Sequence, residues 1–154
     1  MSSRSRTTRR CSTRCAASGP YPVNDEATRN AVLRYISALN GHSADAIAAC
    51  VSEDFVNEHT SALGRSLAGR AAYRAALTGF LSDFAGLRYE VEDLVAEAGR
   101  AMLAYRMSFT LLSAGGRAVS IRGVFRFRVG ADGLITHRTD YWDSGEVERQ
   151  VGAR

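Results

Sequence analysis

The stretch AMLAYRMSFTLLSAGGRAVSIRGVFRFRV, residues 101–129, decides the architecture. Apolar side chains recur at every second position, as Leu103, Tyr105, Met107 and Phe109 and then as Val119, Ile121, Phe125 and Phe127. A period of two is that of a β-strand, and Ala114-Gly115-Gly116 between the halves supplies a tight turn. The stretch therefore reads as an antiparallel hairpin. Outward from it, Leu87–Ala96 joins across Glu97-Ala98-Gly99, and Leu134–Trp142 joins across Gly130-Ala131-Asp132-Gly133. Each connection is short and holds glycine, so the four strands should form an antiparallel meander.

Upstream the period changes to 3.6. Ala27, Ala31, Val32, Tyr35, Ile36 and Leu39 form one face of a helix over 25–40, with Asn24 or Asp25 as its cap and Gly41 as a left-handed terminator. Ser43 should cap a short helix carrying Ile47 and Cys50, and a brief strand follows from Asp54 to Glu58. A third helix over 69–85 places Ala72, Tyr73, Ala76, Leu77, Phe80, Leu81 and Phe84 on one face, and Gly86 should stop it. Helices first and a meander afterwards give the α+β class, with the helices packed on one face of the sheet.

The 154 residues fit one domain, expected over 23–154. The formal charge of +4 is unevenly spread. Residues 1–23 hold five arginines and no acid, whereas the remainder is nearly neutral at −1. The tail over 1–22 has no apolar run and reads as disordered, with an N-terminal targeting segment as the alternative. A nearly neutral domain argues against a nucleic-acid partner. No window approaches the roughly 18 apolar residues of a membrane span, and the expected location is the cytoplasm. The Ala, Gly and Arg bias suggests a bacterial source. All 20 basic residues are arginine, so a lysine Schiff base is excluded. Cys11, Cys15 and Cys50 make no disulfide framework. The histidines His42, His59 and His137 share no metal-ligand spacing, and no phosphate loop or nucleophile motif occurs. The expectation is that neither metal nor cofactor is needed.

The strand faces suggest where function lies. Leu103, Tyr105, Met107 and Phe109 form an apolar stripe, and Arg106 and Ser108 point the other way. If the arginine face lines a cavity, the stripe must be covered by something else, and a two-fold homodimer is the expected cover. On the last strand Asp140 and Trp142 share a face. Arg106 and Asp140 are each the lone charge among small or apolar neighbours, so they should meet inside the cavity.

Ser52-Glu53-Asp54-Phe55, Gly123-Val124-Phe125, Gly133-Leu134-Ile135-Thr136, Arg138-Thr139-Asp140-Tyr141-Trp142-Asp143 and Arg149-Gln150-Val151-Gly152 together carry a resemblance. Over about residues 24–152 the chain resembles the nuclear-transport-factor-2-like cone, and within it SnoaL-like polyketide cyclases, limonene-epoxide-hydrolase-like proteins and ketosteroid-isomerase relatives. The resemblance implies a curved antiparallel sheet roofed by three helices. It specifies the fold better than the reaction, because one fold hosts many chemistries. The Asp–Arg–Asp set of the epoxide hydrolases would map to Arg106 and Asp140, with Ser108 where the remaining acid is expected. The water-positioning Tyr and Asn would fall at Asn57 and His59. In the cyclases a catalytic Asp precedes the closing Gln-x-Gly segment, and Asp143 fits that place about as well as Asp140 fits the other.

The expected function is cofactor-independent acid/base work on a small hydrophobic polyketide-, terpenoid- or steroid-like molecule: cyclisation, isomerisation or hydration. Asp140, with Asp143 in reserve, would move a proton, Arg106 would hold charge, and His59 and Trp142 would orient the substrate. Asn57, Ser108, Tyr35, Phe80, Val119 and Ile121 would line the binding site. The alternative is a binding or dimerisation module that keeps the cavity without chemistry.

Overall fold

The computed structural model describes residues 23–152, and the reading of the tail over 1–22 lies outside them. Helix α1 (Asp25–Asn40) begins where the Asn24 side chain accepts the Ala27 N–H at 2.7 Å. Ala31, Val32, Tyr35, Ile36 and Leu39 are buried as expected, whereas Ala27 is exposed and Thr28 is the buried residue of the first turn. Its end differs from expectation. Gly41 is right-handed, and His42 takes the left-handed position at φ 57°, with its ring bonded to the Leu87 carbonyl oxygen. Helix α2 (Ala44–Ala48) is capped by Ser43. Strand β1 (Val51–His59) runs longer than expected, and the two-residue β2 (Leu67–Ala68) is too short to leave a periodic signal.

Helix α3 (Arg70–Asp83) leads into β3 (Phe84–Glu97), β4 (Arg100–Leu111), β5 (Arg117–Val129) and β6 (Ile135–Trp142). Gly86 does not stop the helix. It lies inside β3 at φ 66°, where the β3–β4 register breaks between Ala85 and Arg88, so it bends a long strand. The four long strands pair antiparallel as expected. The complete sheet runs β2-β1-β6-β5-β4-β3, because β1 adds to β6 in parallel.

A fourth helix, α4 (Ser144–Gly152), goes beyond the three expected. None of its residues is fully buried, so it leaves a weak periodic signal. Its purpose is plain from its contacts. Strand β6 stops opposite Gly123, leaving the earlier part of β5 without a neighbour on that side. There the Gln150 amide bonds both the N–H and the C=O of Ser120, at 2.9 and 2.8 Å. The closing segment thus completes a sheet edge, which would otherwise carry unmet backbone groups. Among the described residues no helix is long and apolar enough to cross a membrane.

The registers settle which face is inside. Met107 stands opposite Ile121, Phe109 opposite Val119, and Leu103 opposite Phe125. Directly paired residues share a face, so the apolar stripes of β4 and β5 join into one surface. That surface lies under α1 and α3 as the core. Leu103, Tyr105, Met107 and Phe109 are all at most 5 % exposed within the single chain. The expected dimer surface on this stripe is therefore corrected: the stripe faces inward. The opposite face is polar. On it Arg106 stands beside Arg122, and Glu92 bridges both, at 3.4 and 2.6 Å. One carboxylate offsets what would otherwise be repulsion between paired like charges. A sheet apolar inside and polar outside has its cavity on the apolar side.

Candidate active site in the cone

A cavity of about 410 Å³ opens between the inner sheet face, α3 and the β1–β2 loop. Most of its wall is apolar: Leu77 and Phe80 of α3, Met107 and Phe109 of β4, Ile121 of β5. Its polar residues converge from β1 and β6. The parallel register places Asn57 beside Arg138 and His59 beside Asp140. Period-two alternation then puts Arg138, Asp140 and Trp142 on one wall.

Arg138 is the residue that the sequence reading missed. It is 5 % exposed. Its Nε donates to Asn57 Oδ1 at 2.9 Å, and its Nη1 donates to the Tyr35 hydroxyl at 2.6 Å. Its guanidinium lies 4.8 Å from the centre of the Phe125 ring, a cation–π arrangement. Tyr35 is itself bonded to Tyr73. Asn57, Tyr35, the neutral His59 ring at 3.5 Å and aromatic faces thus hold a buried cation, with no carboxylate in direct contact among the described residues.

Asp140 is 6 % exposed. Its Oδ1 accepts the Tyr105 hydroxyl at 2.7 Å. Burial raises its carboxyl above the ordinary aspartate value, against the opposing pull of Arg138 and the Tyr105 hydrogen bond. Oδ2 accepts no hydrogen bond among the described residues. Its nearest polar neighbour is His59 Nδ1 at 3.6 Å. That approach is not an ion pair. Trp142 Nε1, which can only donate, gives its hydrogen to the same Nδ1 at 3.1 Å. Burial, and then the Arg138 charge, lower the His59 pKa to about 4. The imidazole is neutral at neutral pH, and donors face both of its nitrogens: Trp142 at Nδ1, and Asn57 Nδ2 and Arg138 Nη2 at Nε2, 3.4 and 3.5 Å away.

The Tyr105–Asp140 bond depends on a glycine. Gly123 lies between them, opposite Tyr105 on β4 and Trp142 on β6. A Cβ at this position would strike the Tyr105 hydroxyl and would lie 2.8 Å from the Tyr141 carbonyl oxygen. Gly123→Ala should therefore cost about 1–3 kcal/mol through overpacking, measured by urea unfolding. A stability equal to wild type would show that Tyr105 does not cross this gap.

The remaining candidates divide. Asn57, His59, Asp140, Trp142, Phe80 and Ile121 line the cavity. Arg106 does not: it lies on the outer face, half-exposed and paired with Glu92, so the expected Arg106–Asp140 meeting is corrected. The arginine beside Asp140 is Arg138. Ser108 shares the outer face, opposite Ser120. Asp143 is exposed, accepting the Gly145 N–H at 2.8 Å and pairing with Arg149 at the start of α4. Tyr35 is fully buried behind Arg138, and Val119 is packed in the core, so neither forms the cavity wall. Period two was enough to group Arg138 with Asp140 and Trp142. The usual exposure of arginine concealed it.

The sequence pattern of the SnoaL-like domain matches residues 32–138. No curated protein matches the chain. Among solved structures, a candidate polyketide cyclase of Xanthomonas campestris pv. campestris superposes with a TM-score of 0.70 at 26% identity, covering 83% of this chain and 98% of that one. A candidate ketosteroid isomerase of Kribbella flavida gives 0.61 at 26% identity, over 77% and 78%. An LEH-like epoxide hydrolase of M. tuberculosis gives 0.71 at 19% identity, over 82% and 90%. That last likeness is one of fold.

Proposed function

Because the chain belongs to the SnoaL-like domain family, we propose that it catalyses proton transfer on a compact hydrophobic ring compound without a cofactor, with Asp140 as the proton carrier. One observation carries this reading: a carboxyl group with a raised pKa stands in the wall of an apolar cavity, with one oxygen held and the other unbonded. A carboxyl raised above the ordinary aspartate value is a better proton acceptor when ionised, because desolvation makes its anion a stronger base.

The neighbours divide the remaining work. Tyr105 fixes Oδ1 and so aims Oδ2. Arg138 supplies a positive field that favours negative charge developing on substrate oxygen, without itself giving up a proton. Neutral His59 and Trp142 hold each other and shape the wall beside Oδ2. The similarity to the cyclase and isomerase structures, each 26% identical, supports acid/base chemistry as the reaction class. Polyketide-, terpenoid- and steroid-like molecules fit the cavity's apolar lining.

The reading can be tested before a natural substrate is identified. A panel of enolisable bicyclic and tricyclic ketones is incubated with the protein in D2O, and loss of the α-proton NMR signals is followed. Exchange above the buffer rate is expected. Binding of the ketones without exchange would favour the binding-module alternative.

A further inference from the structure

Proton transfer through Asp140 leaves one inward-facing hydroxyl unused. Tyr89, on β3, is 5 % exposed and lines the cavity. Its phenol oxygen has no hydrogen-bond partner among the described residues. Tyr105 and Tyr35 on the same side are both engaged, with Asp140 and with Arg138. The Tyr89 oxygen is not among the fully buried atoms left without a partner, so it is reached from the cavity and is a donor free for a molecule that enters it.

Its placement is rigid. β3 is the edge strand, and its outer backbone groups at Tyr89 are met by one side chain. Asn40, the last residue of α1, accepts the Tyr89 N–H at 2.7 Å and donates to the Tyr89 carbonyl at 3.0 Å. The ring packs edge-on against Tyr105, centre to centre 5.2 Å, and at a tilt against Phe125 at 5.5 Å. The hydroxyl is thus fixed from both ends. Burial, and then the nearby Asp140 charge, raise its pKa well above the ordinary tyrosine value, so it stays protonated and can donate.

We propose that Tyr89 is the specificity donor of the cavity, recognising a carbonyl or phenolic oxygen on an otherwise apolar ring system. Its ligand is then an aromatic or alicyclic ketone, quinone or phenol rather than a pure hydrocarbon. The inference rests on the cavity being the binding site, as in the reading above, and not on Asp140 moving a proton.

Two probes of the same shape isolate the donor: 2-acetylnaphthalene, with a carbonyl oxygen, and 2-isopropenylnaphthalene, with a methylene in its place. Binding is read by quenching of Trp142, the only tryptophan of the chain and part of the cavity wall. Hydrophobicity alone favours the alkene, so the informative quantity is the ratio of the two Kd values compared between wild type and Tyr89→Phe. Removing the hydroxyl should shift that ratio against the ketone by roughly tenfold, the scale of one net hydrogen bond. The variant should melt at or above the wild-type temperature, since the lost hydroxyl has no protein partner. An unchanged ratio, or a variant that melts several degrees lower, would overturn the inference. Proton exchange with an unchanged ratio sinks the Tyr89 inference alone. A shifted ratio without exchange sinks the acid/base reading alone. Quenching by neither probe up to its solubility limit would overturn both.

Discussion

Replacing Asp140 with asparagine is expected to lower α-proton exchange by about 10²–10⁴-fold, the usual contribution of a general acid or base, while the protein melts no lower than wild type at pH 8. The amide keeps the carboxyl's shape. Its oxygen can still accept from Tyr105, and its N–H₂ takes the place where Oδ2 now stands, facing the cavity and His59. What it loses is the ability to take up a proton. The stability sign follows from the carboxyl's raised pKa. A group whose folded pKa lies above its unfolded value contributes stability below the unfolded pKa and loses it as pH rises through the folded one. Once pH rises through the folded pKa, the wild-type protein carries a desolvated carboxylate that asparagine never becomes. Arg138 only partly offsets this, since its pull is outweighed by burial. A variant that melts several degrees lower at pH 8 would make Asp140 a structural counter-charge to Arg138. Differential scanning calorimetry at pH 4 and pH 8 reads the difference directly.

Arg138→Met has the largest expected effect on stability. The guanidinium donates to Asn57 and Tyr35 inside the protein and lies against Phe125. Hydrogen bonds to a charged group contribute about 1.5–3 kcal/mol each, and removing one partner leaves the other buried and unmet. The loss should reach about 3–5 kcal/mol, or a fall in Tm on the order of 10 °C for a domain of this size. Asn57 Oδ1 is the stranded acceptor, so adding Asn57→Leu should recover part of the loss. Arg138→Lys should not restore stability, because a single ammonium cannot replace a planar fork that reaches Asn57 and Tyr35 at once. An Arg138→Met protein melting within about 2 °C of wild type, less than 1 kcal/mol at this size, would remove Arg138 from the centre of the site.

The parts of this molecule that were legible in its sequence are those where one period dominates. Tyr35, Ile36 and Leu39 mark α1, and the alternation over 101–129 marks β4 and β5, because burial of one face imposes those spacings. Alternation does not say which face is concave. Leu103 through Phe109 read equally well as an interface or as a core, and only the pairing of β4 with β5, under two helices, decides. Arg106 was misplaced for that reason. Arg138 was hidden by composition: a buried arginine is rare, and nothing local announces that Asn57, 81 residues away, will hold it. Tyr89 carries no sequence signal, since an unpartnered hydroxyl is a property of the assembled cavity. Helix α4 escaped because it serves a sheet edge through Gln150 rather than burying an apolar face. Asp140 and Trp142 were readable, because their shared face follows from strand period alone.

The central claim concerns the protonation of one carboxyl group, and it can be measured without any substrate. Aspartate labelled with ¹³C at Cγ gives one NMR signal per residue, and the Asp140 signal is assigned as the one missing in Asp140→Asn. Its titration midpoint is expected above the ordinary aspartate value of about 3.9, because burial outweighs the help of Arg138 and Tyr105. Tyr105→Phe removes the hydrogen bond to Oδ1 and should move the midpoint higher still. A midpoint at or below the ordinary value, or no response to Tyr105→Phe, would mean that Asp140 is a solvated or tightly paired anion, and would contradict the account.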